Sequence, residues 1–321
     1  MQIAILGAGG VGGYLGARLI EGGADVAFIV RELRAAQLRS DGLVLQSVLG
    51  DFCAPVQTLL AGASTQLRPD AIILACKEPA LDAALDAVAP LLGPQTRLLP
   101  VLNGIRHLDT IAARFPQTPL VGGIVHGATD LRPDGVIAHL SPFMTVIVGP
   151  VDKAADPVAT ELVERLKTAG TEAYATHEIR QDMWNKFVFL AAFAGITSLM
   201  RASIGTIVAA GARDLILQLL EETRSVAAAE GFTPPAQLMD EYRSLLTEEH
   251  SPLTSSMLRD IQAGRHTEGA HILGDMLSRA RRHGLSTPML HVAAAHVEAY
   301  ERNLDSHPNT VASSAKEQPP Q

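Results

Sequence analysis

The chain is poor in cysteine, in aromatic rings and in positive charge, and the first and last of these shortages each remove a class of protein. Cys53 and Cys76 are the only cysteines among 321 residues. That is too few for a disulfide scaffold and suits a reducing, cytoplasmic setting. Both read as small core hydrophobes rather than catalytic thiols. Lys and Arg number 26 against 34 acidic residues, a formal net charge of -8, so no basic stripe is there to hold a nucleic-acid backbone. Aromatic residues make up 4%. The longest apolar run, 187–200, is too short to span a bilayer and contains Thr197 and Ser198. The first residues already read as a strand, with no basic stretch or cleavage site, so a secretory signal is not expected. Nor is a metal centre. His266 and His271, like His291 and His296, are five apart, whereas neighbours on one helix face are three or four apart. What the chain has in quantity is apolar residues, 47% of 321, enough for two domains and a sizeable core.

The most informative stretch opens the chain, MQIAILGAGGVGGYLGARLI. A short apolar run leads into Gly7-Ala8-Gly9-Gly10-Val11-Gly12, and a helix pattern follows. Three glycines at G-x-G-x-x-G spacing between a strand and a helix read as a dinucleotide-binding turn, the alternative being a glycine-rich turn that merely packs. Gly7 makes the turn, Gly9 lets the backbone approach a pyrophosphate, and Gly12 lets helix pack on strand. A second strand, 25–30, ends at Val30 and is followed by Arg31. An acid there would hold a ribose 2′-hydroxyl, whereas an arginine accommodates a 2′-phosphate, so NADP(H) is the expected cofactor. Arg34 is placed to add to the phosphate pocket, and Glu32 is read as complementing the next helix's dipole.

Strand-like segments at 2–6, 25–30, 70–76, 97–102 and 120–125 alternate with helical patterns at 11–21, 80–92 and 108–115. That alternation predicts a doubly wound, mainly parallel sheet. Segments 135–140 and 144–149 read as an antiparallel extension, and 42–55 as a hairpin around Gly50. From about His177 the chain reads as helical, near 181–200, 207–230, 236–246, 253–262, 267–283 and 289–302. The expectation is an α/β protein: a Rossmann domain over 1–175, an all-α substrate domain over 176–304, and a disordered tail over 305–321. Substrate is expected in the cleft between domains.

Several residues could do chemistry. Lys186 begins the most apolar helix, where desolvation lowers an amine's pKa and makes it a better proton donor near neutrality; a snorkelling lysine at a helix end fits equally well. Asn103-Gly104 and Lys77 each follow an apolar strand, at the sheet edge where ligands bind. Asn-Gly is also a common turn, and Lys77 suits a solvated loop. Ser256 and Glu268 lie twelve apart, on neighbouring helices or a helix and its approach; Thr267-Glu268 also suits a helix start. His107 and His126 sit near strand ends without a catalytic reading.

Taken in order, GAGGVGGYLGARL with Arg31, ACK ending at Lys77, LNG at Asn103, WNK at Lys186 and SSMLRDIQAGRHTE ending at Glu268 resemble the ketopantoate reductase family (2-dehydropantoate 2-reductases). The resemblance runs from Met1 to about Asn303 and implies a Rossmann domain followed by a helical domain, of 6-phosphogluconate-dehydrogenase-like plan. It implies NADPH-dependent reduction of a 2-oxo acid, 2-dehydropantoate to pantoate in pantothenate biosynthesis or a related oxo acid. By resemblance Lys186 is the general acid, Glu268 its acidic partner, and Ser256 a binder of substrate carboxylate. Asn103 positions substrate and nicotinamide, and Lys77 lies near the cofactor. Neither nucleic acid nor membrane is an expected partner, and the plan leaves room for a homodimer.

The chain also departs from the family. Where members acting on ketopantoate commonly carry Asn four and eight residues after the lysine, it has Leu190 and Ala194. T-E-I-D is replaced by Thr267-Glu268-Gly269-Ala270, and Met-Gly after Asn103-Gly104 by Ile105-Arg106. Losing hydrogen-bonding groups weakens recognition of a small polar acid, so the resemblance supports reductase chemistry more than ketopantoate itself. A 3-hydroxyacid dehydrogenase shares the two-domain plan but fits the Ser256–Glu268 motif poorly. A non-catalytic NADP(H)-binding sensor would not need Lys186, Asn103 and Glu268 together.

Overall fold

The computed structural model describes residues 1–63 and 66–306. It divides into two compact units, Met1–Met183 and a second beginning at Trp184. In the first unit the chain runs β1 (Gln2–Leu6), α1 (Gly10–Glu21), β2 (Asp25–Val30), α2 (Glu32–Asp41), β3 (Leu43–Gln46), β4 (Phe52–Ala54), β5 (Gln57–Leu60) and β6 (Ala71–Leu74). It continues with α3 (Leu81–Val88), β7 (Arg97–Pro100), α4 (Arg106–Arg114), β8 (Val121–His126), β9 (Thr129–Leu131), β10 (Ile137–His139), β11 (Thr145–Pro150), α5 (Pro157–Thr168) and β12 (Glu172–Ala175).

Five strands form one parallel sheet in the order β5-β2-β1-β6-β7. The strand sequences are short unbroken apolar runs because a parallel sheet between helices is buried on both faces. Ile3, Ala4 and Ile5 of the central strand are all 0% exposed. Phe28 of β2 is equally buried and packs under α1, where a Cβ on Gly16 would fall 2.2 Å from its ring. The Gly42–Pro55 hairpin forms, with its turn at Ser47–Gly50.

The expected antiparallel extension does not form as one piece. β10 joins β9 and β3 in a sheet ordered β4-β3-β10-β9, while β11 pairs antiparallel with β8 and parallel with β12. Alternation along a strand fixes which face is buried, not which neighbour it pairs with. Helix α5 was absent from the sequence reading although its start is well marked. Asp156 caps it by accepting from Val158 and Ala159 N–H groups, and Pro157 follows.

After Ala175 every regular element among the described residues is helical: α6 (Ile179–Met200), α7 (Ile204–Ala209), α8 (Arg213–Ala229), α9 (Ala236–Leu246), α10 (Ser256–Gln262), a π turn (Ala270–Gly274), α11 (Asp275–Arg282) and α12 (Pro288–Ser306). Two expected helices are interrupted. The 207–230 pattern breaks at Gly211, whose φ of +81° ends α7. The 267–283 pattern contains the π turn. Asp305 and Ser306, expected in the tail, close α12, and the rest of that tail lies outside the described residues.

Helix α6 has 22 residues and is long and apolar enough to cross a membrane, so the length argument made from 187–200 does not hold. Of its most apolar window 61% is buried inside the protein, and Phe187, Val188, Ala191 and Ile196 are core residues. The Thr223 hydroxyl donates to the Val188 carbonyl (3.1 Å), tying α8 to it. In the first unit, Phe28→Ala should cost about 3–5 kcal/mol, read as a lower urea midpoint; an unchanged midpoint would show that the sheet does not depend on this ring.

Candidate active site

The glycine turn is built by crowding at three positions and room at a fourth. Gly7 has φ +99°, a region that side chains avoid, and its N–H donates to the Ile29 carbonyl at 3.0 Å. A Cβ on Gly12 would lie 2.0 Å from the Gly7 carbonyl oxygen, and one on Gly10 would lie 2.8 Å from Thr129 Oγ1. Gly9, the N-cap of α1, has nothing within 4 Å of such a Cβ. Open space therefore meets the unpaired N–H groups and positive dipole of a helix start, which fits the pyrophosphate of a dinucleotide.

Strand register brings the other first-unit candidates to the same edge. Leu6 pairs with Ile29 and Leu74, and Leu74 pairs with Pro100. Lys77 and Asn103 each lie three residues past a paired position, so they stand level beyond adjacent strands, Lys77 exposed and Asn103 half-buried. Arg31 directly follows β2 as the N-cap of α2 and is exposed. Gly7 to Gly12 (Ala8 and Val11 included), Arg31, Lys77 and Asn103 thus share the carboxyl edge of four neighbouring strands. Ligands of open α/β sheets bind there.

Arg34, expected to add to the phosphate pocket, is engaged on the glycine turn itself. Its Nε donates to the Ala8 carbonyl (3.0 Å), and its Nη1 to the Gly135 carbonyl (3.0 Å) and Gln37 Oε1 (3.2 Å). The guanidinium clamps the glycine turn to the β9–β10 connection. Glu32 opens α2 and pairs with Arg39 at 2.9 Å on its exposed side, as its dipole reading implies. His107 is fully buried on α4, and His126 ends β8.

In the second unit, Lys186 is half-buried on α6. Burial strips water from its amine and pulls the pKa down to about 8, while the nearby Glu268 carboxylate pulls it up. The residues before it are pinned. Trp184 stacks on Phe232 (5.7 Å between centroids) and lies 5.4 Å from the Arg279 guanidinium, which Asp275 and Glu230 hold at 2.9 and 2.8 Å. The Tyr242 hydroxyl donates to the Asn185 carbonyl at 3.1 Å, and burial pushes its own pKa up to about 12, so it stays a donor.

Glu268 is set from a distant part of the chain. Glu301 on α12 accepts from Thr267 N and Oγ1 at 2.8 and 2.7 Å, and Thr267 Oγ1 accepts from Gly269 N. The Glu268 carbonyl accepts from both His271 and Ile272 N–H groups, and the chain widens there into the π turn, a feature frequent at functional sites. A Cβ on Gly269 would lie 2.3 Å from Val297 Cγ1, so the isoleucine often found there in the family has no room.

The two serines divide their work. Ser255 is buried and caps α10 by accepting from Leu258 N at 3.1 Å, leaving Ser256 exposed as the helix's first residue. Leu190 is half-buried and Ala194 is 2% exposed. Sequence motifs missed Glu301, Tyr242 and Arg279. Each acts across at least 34 residues or through a backbone carbonyl, and no local pattern marks them.

Residues 3–153 match the family model Ketopantoate reductase PanE/ApbA, and residues 178–301 match Ketopantoate reductase PanE/ApbA C terminal. The chain belongs to the ketopantoate reductase family. It is 34% identical to the uncharacterized oxidoreductase YkpB of Bacillus subtilis, over 94% of this chain and 99% of that one. Its fold is shared with 2-dehydropantoate 2-reductase from Methylococcus capsulatus (TM-score 0.85, 24% identity, 94% and 97% of the two chains). It is shared too with D-mandelate dehydrogenase solved with NADH and anilino(oxo)acetate (TM-score 0.84, 23% identity, 95% and 99%). The protein is an oxidoreductase acting on CH–OH groups and uses a nicotinamide cofactor.

The turn separates fold from binding at single glycines. Gly9→Ala should leave the thermal midpoint unchanged while weakening dinucleotide binding at least about tenfold. Gly12→Ala should lower the midpoint as well, since its Cβ meets backbone. Equal melting losses in the two variants would contradict this division.

Proposed function

We propose that the protein reduces a 2-oxo acid to the corresponding 2-hydroxy acid with NADPH, within the class that includes 2-dehydropantoate and hence pantothenate biosynthesis. The observation that carries the reading is the Lys186 amine, desolvated to a pKa of about 8 beside Glu268. A proton donor poised near neutrality suits a carbonyl that becomes an alkoxide. Gly7–Gly12, Arg31 and Lys77 would hold NADPH, which would supply the hydride. Lys186 gives its proton to the carbonyl oxygen as negative charge builds there. Glu268 keeps the amine charged until that moment. Asn103 orients the carbonyl through its amide, and Ser256 donates to the carboxylate. Arg31 supports the phosphorylated cofactor because it stands exposed at the end of β2 while Glu32 is turned to Arg39. The thiol of Cys53, exposed on β4 rather than packed in the core as its sequence suggested, suits work in the reducing cytoplasm.

Lys186→Ala should cut kcat at least about 100-fold with little change in NADPH affinity. The acid must be protonated to work. Oxo-acid reduction in the native enzyme should therefore be flat below pH 8 and fall about tenfold per unit above it. A rate that rises through pH 8 would assign the amine the opposite role. Arg31→Ala should raise the Kd for NADPH at least about tenfold and leave NADH within about twofold, measured by parallel fluorescence titrations; equal losses would make the cofactor NADH.

A further inference from the structure

The helix that carries Lys186 also says what kind of side chain its substrate bears. At about 100° per residue, positions 186, 190, 193 and 197 of α6 fall within an arc of roughly 60°. Beyond the amine that face presents Leu190 and Phe193, both half-buried, with Ala194 at its margin. Phe193 stacks on Phe189 (centroids 5.5 Å apart), and Phe189 packs on Tyr242 (4.9 Å), so the aromatic side of the face is fixed.

The polar groups next along are already engaged. Thr197 Oγ1 bonds the Phe193 carbonyl (2.7 Å) and Ser255 Oγ (2.8 Å), and Ser255 caps α10. Thr267 is held by Glu301, and the Tyr242 hydroxyl by the Asn185 carbonyl. Glu268 is drawn to Lys186, and Ser256 is assigned to the carboxylate. On this face of α6, what remains beside the proton donor is hydrocarbon.

We propose that the preferred substrate is a 2-oxo acid whose side chain is a branched aliphatic or aromatic hydrocarbon bearing no hydroxyl. The inference rests on the 2-oxo acid reading above and deepens it. A hydroxyl set against Leu190 and Phe193 gives up water without gaining a partner, whereas methyl groups or a ring gain contact area.

The deciding pair is 2-dehydropantoate and 3,3-dimethyl-2-oxobutanoate, which differ by one hydroxyl; phenyloxoacetate serves as the aromatic member. With NADPH and the full-length enzyme, kcat/KM for the dimethyl acid should exceed that for 2-dehydropantoate by about ten- to a hundredfold. Leu190→Asn should lower that ratio at least about tenfold by returning a hydrogen-bonding group. Should this variant not fold, the native ratio alone decides. Equal or faster turnover of 2-dehydropantoate overturns the inference and leaves the reductase reading standing. No turnover of any of the three acids overturns both.

Discussion

The candidate site depends on keeping one ammonium out of water. Lys186 lies on a helix that gives Met183, Trp184, Phe187, Val188, Ala191 and Ile196 to the core, and the apolar character that lets α6 pack is what pulls the amine's pKa toward neutrality. Structure and chemistry use the same property of the same helix. Burying a charge is expensive, and a compensating carboxylate makes it tolerable. Glu268 supplies that compensation without restoring the ordinary value, and this leaves the amine able to hold a proton and to release it.

Around the glycine turn the governing physics is steric. Gly7, Gly10 and Gly12 are required because backbone or side-chain atoms stand where a Cβ would be, whereas at Gly9 that space is empty and the fold places no such demand. Arg34 adds an electrostatic fastening. By taking the Ala8 carbonyl it fixes the turn's peptide plane, which in turn aims the neighbouring N–H groups. The guanidinium thus holds the turn through Nε and Nη1, while its Nη2 is buried without a hydrogen-bond partner.

Much of this was legible in the residues, and what was not has physical causes. Strands β1, β2, β6 and β7 and the glycine turn announce themselves because apolar runs and glycine spacing are local signals, whereas the fifth parallel strand is β5 and the 120–125 segment expected in that sheet is β8, antiparallel to β11. Helix α9 spans 236–246 as its period predicts. The partners of β10 and β11 were not legible, because pairing is chosen by tertiary packing rather than by alternation. The break at Gly211 was hidden because apolar spacing continues on both sides of it. For the site, residue types and strand ends placed Lys77, Asn103 and Arg31 on one sheet edge, whereas Arg34 looked like a free cation until its carbonyl partners were known.

The least legible part is the setting of Glu268, and it shows how far a local motif can depend on a remote element. The T-E pair reads as a capped helix start, yet Thr267 is gripped by Glu301, 34 residues on, and the first turn after Glu268 runs straight into the π turn. Helix α12 approaches closely enough that Val297 excludes any side chain at Gly269. The same approach that fastens Thr267 therefore dictates the glycine after Glu268. A glycine there weakens helix propensity just where the chain widens into the π turn. The departure from the family at Gly269 and the grip of Glu301 are two consequences of one packing contact, and the carboxylate beside Lys186 takes its backbone position from both.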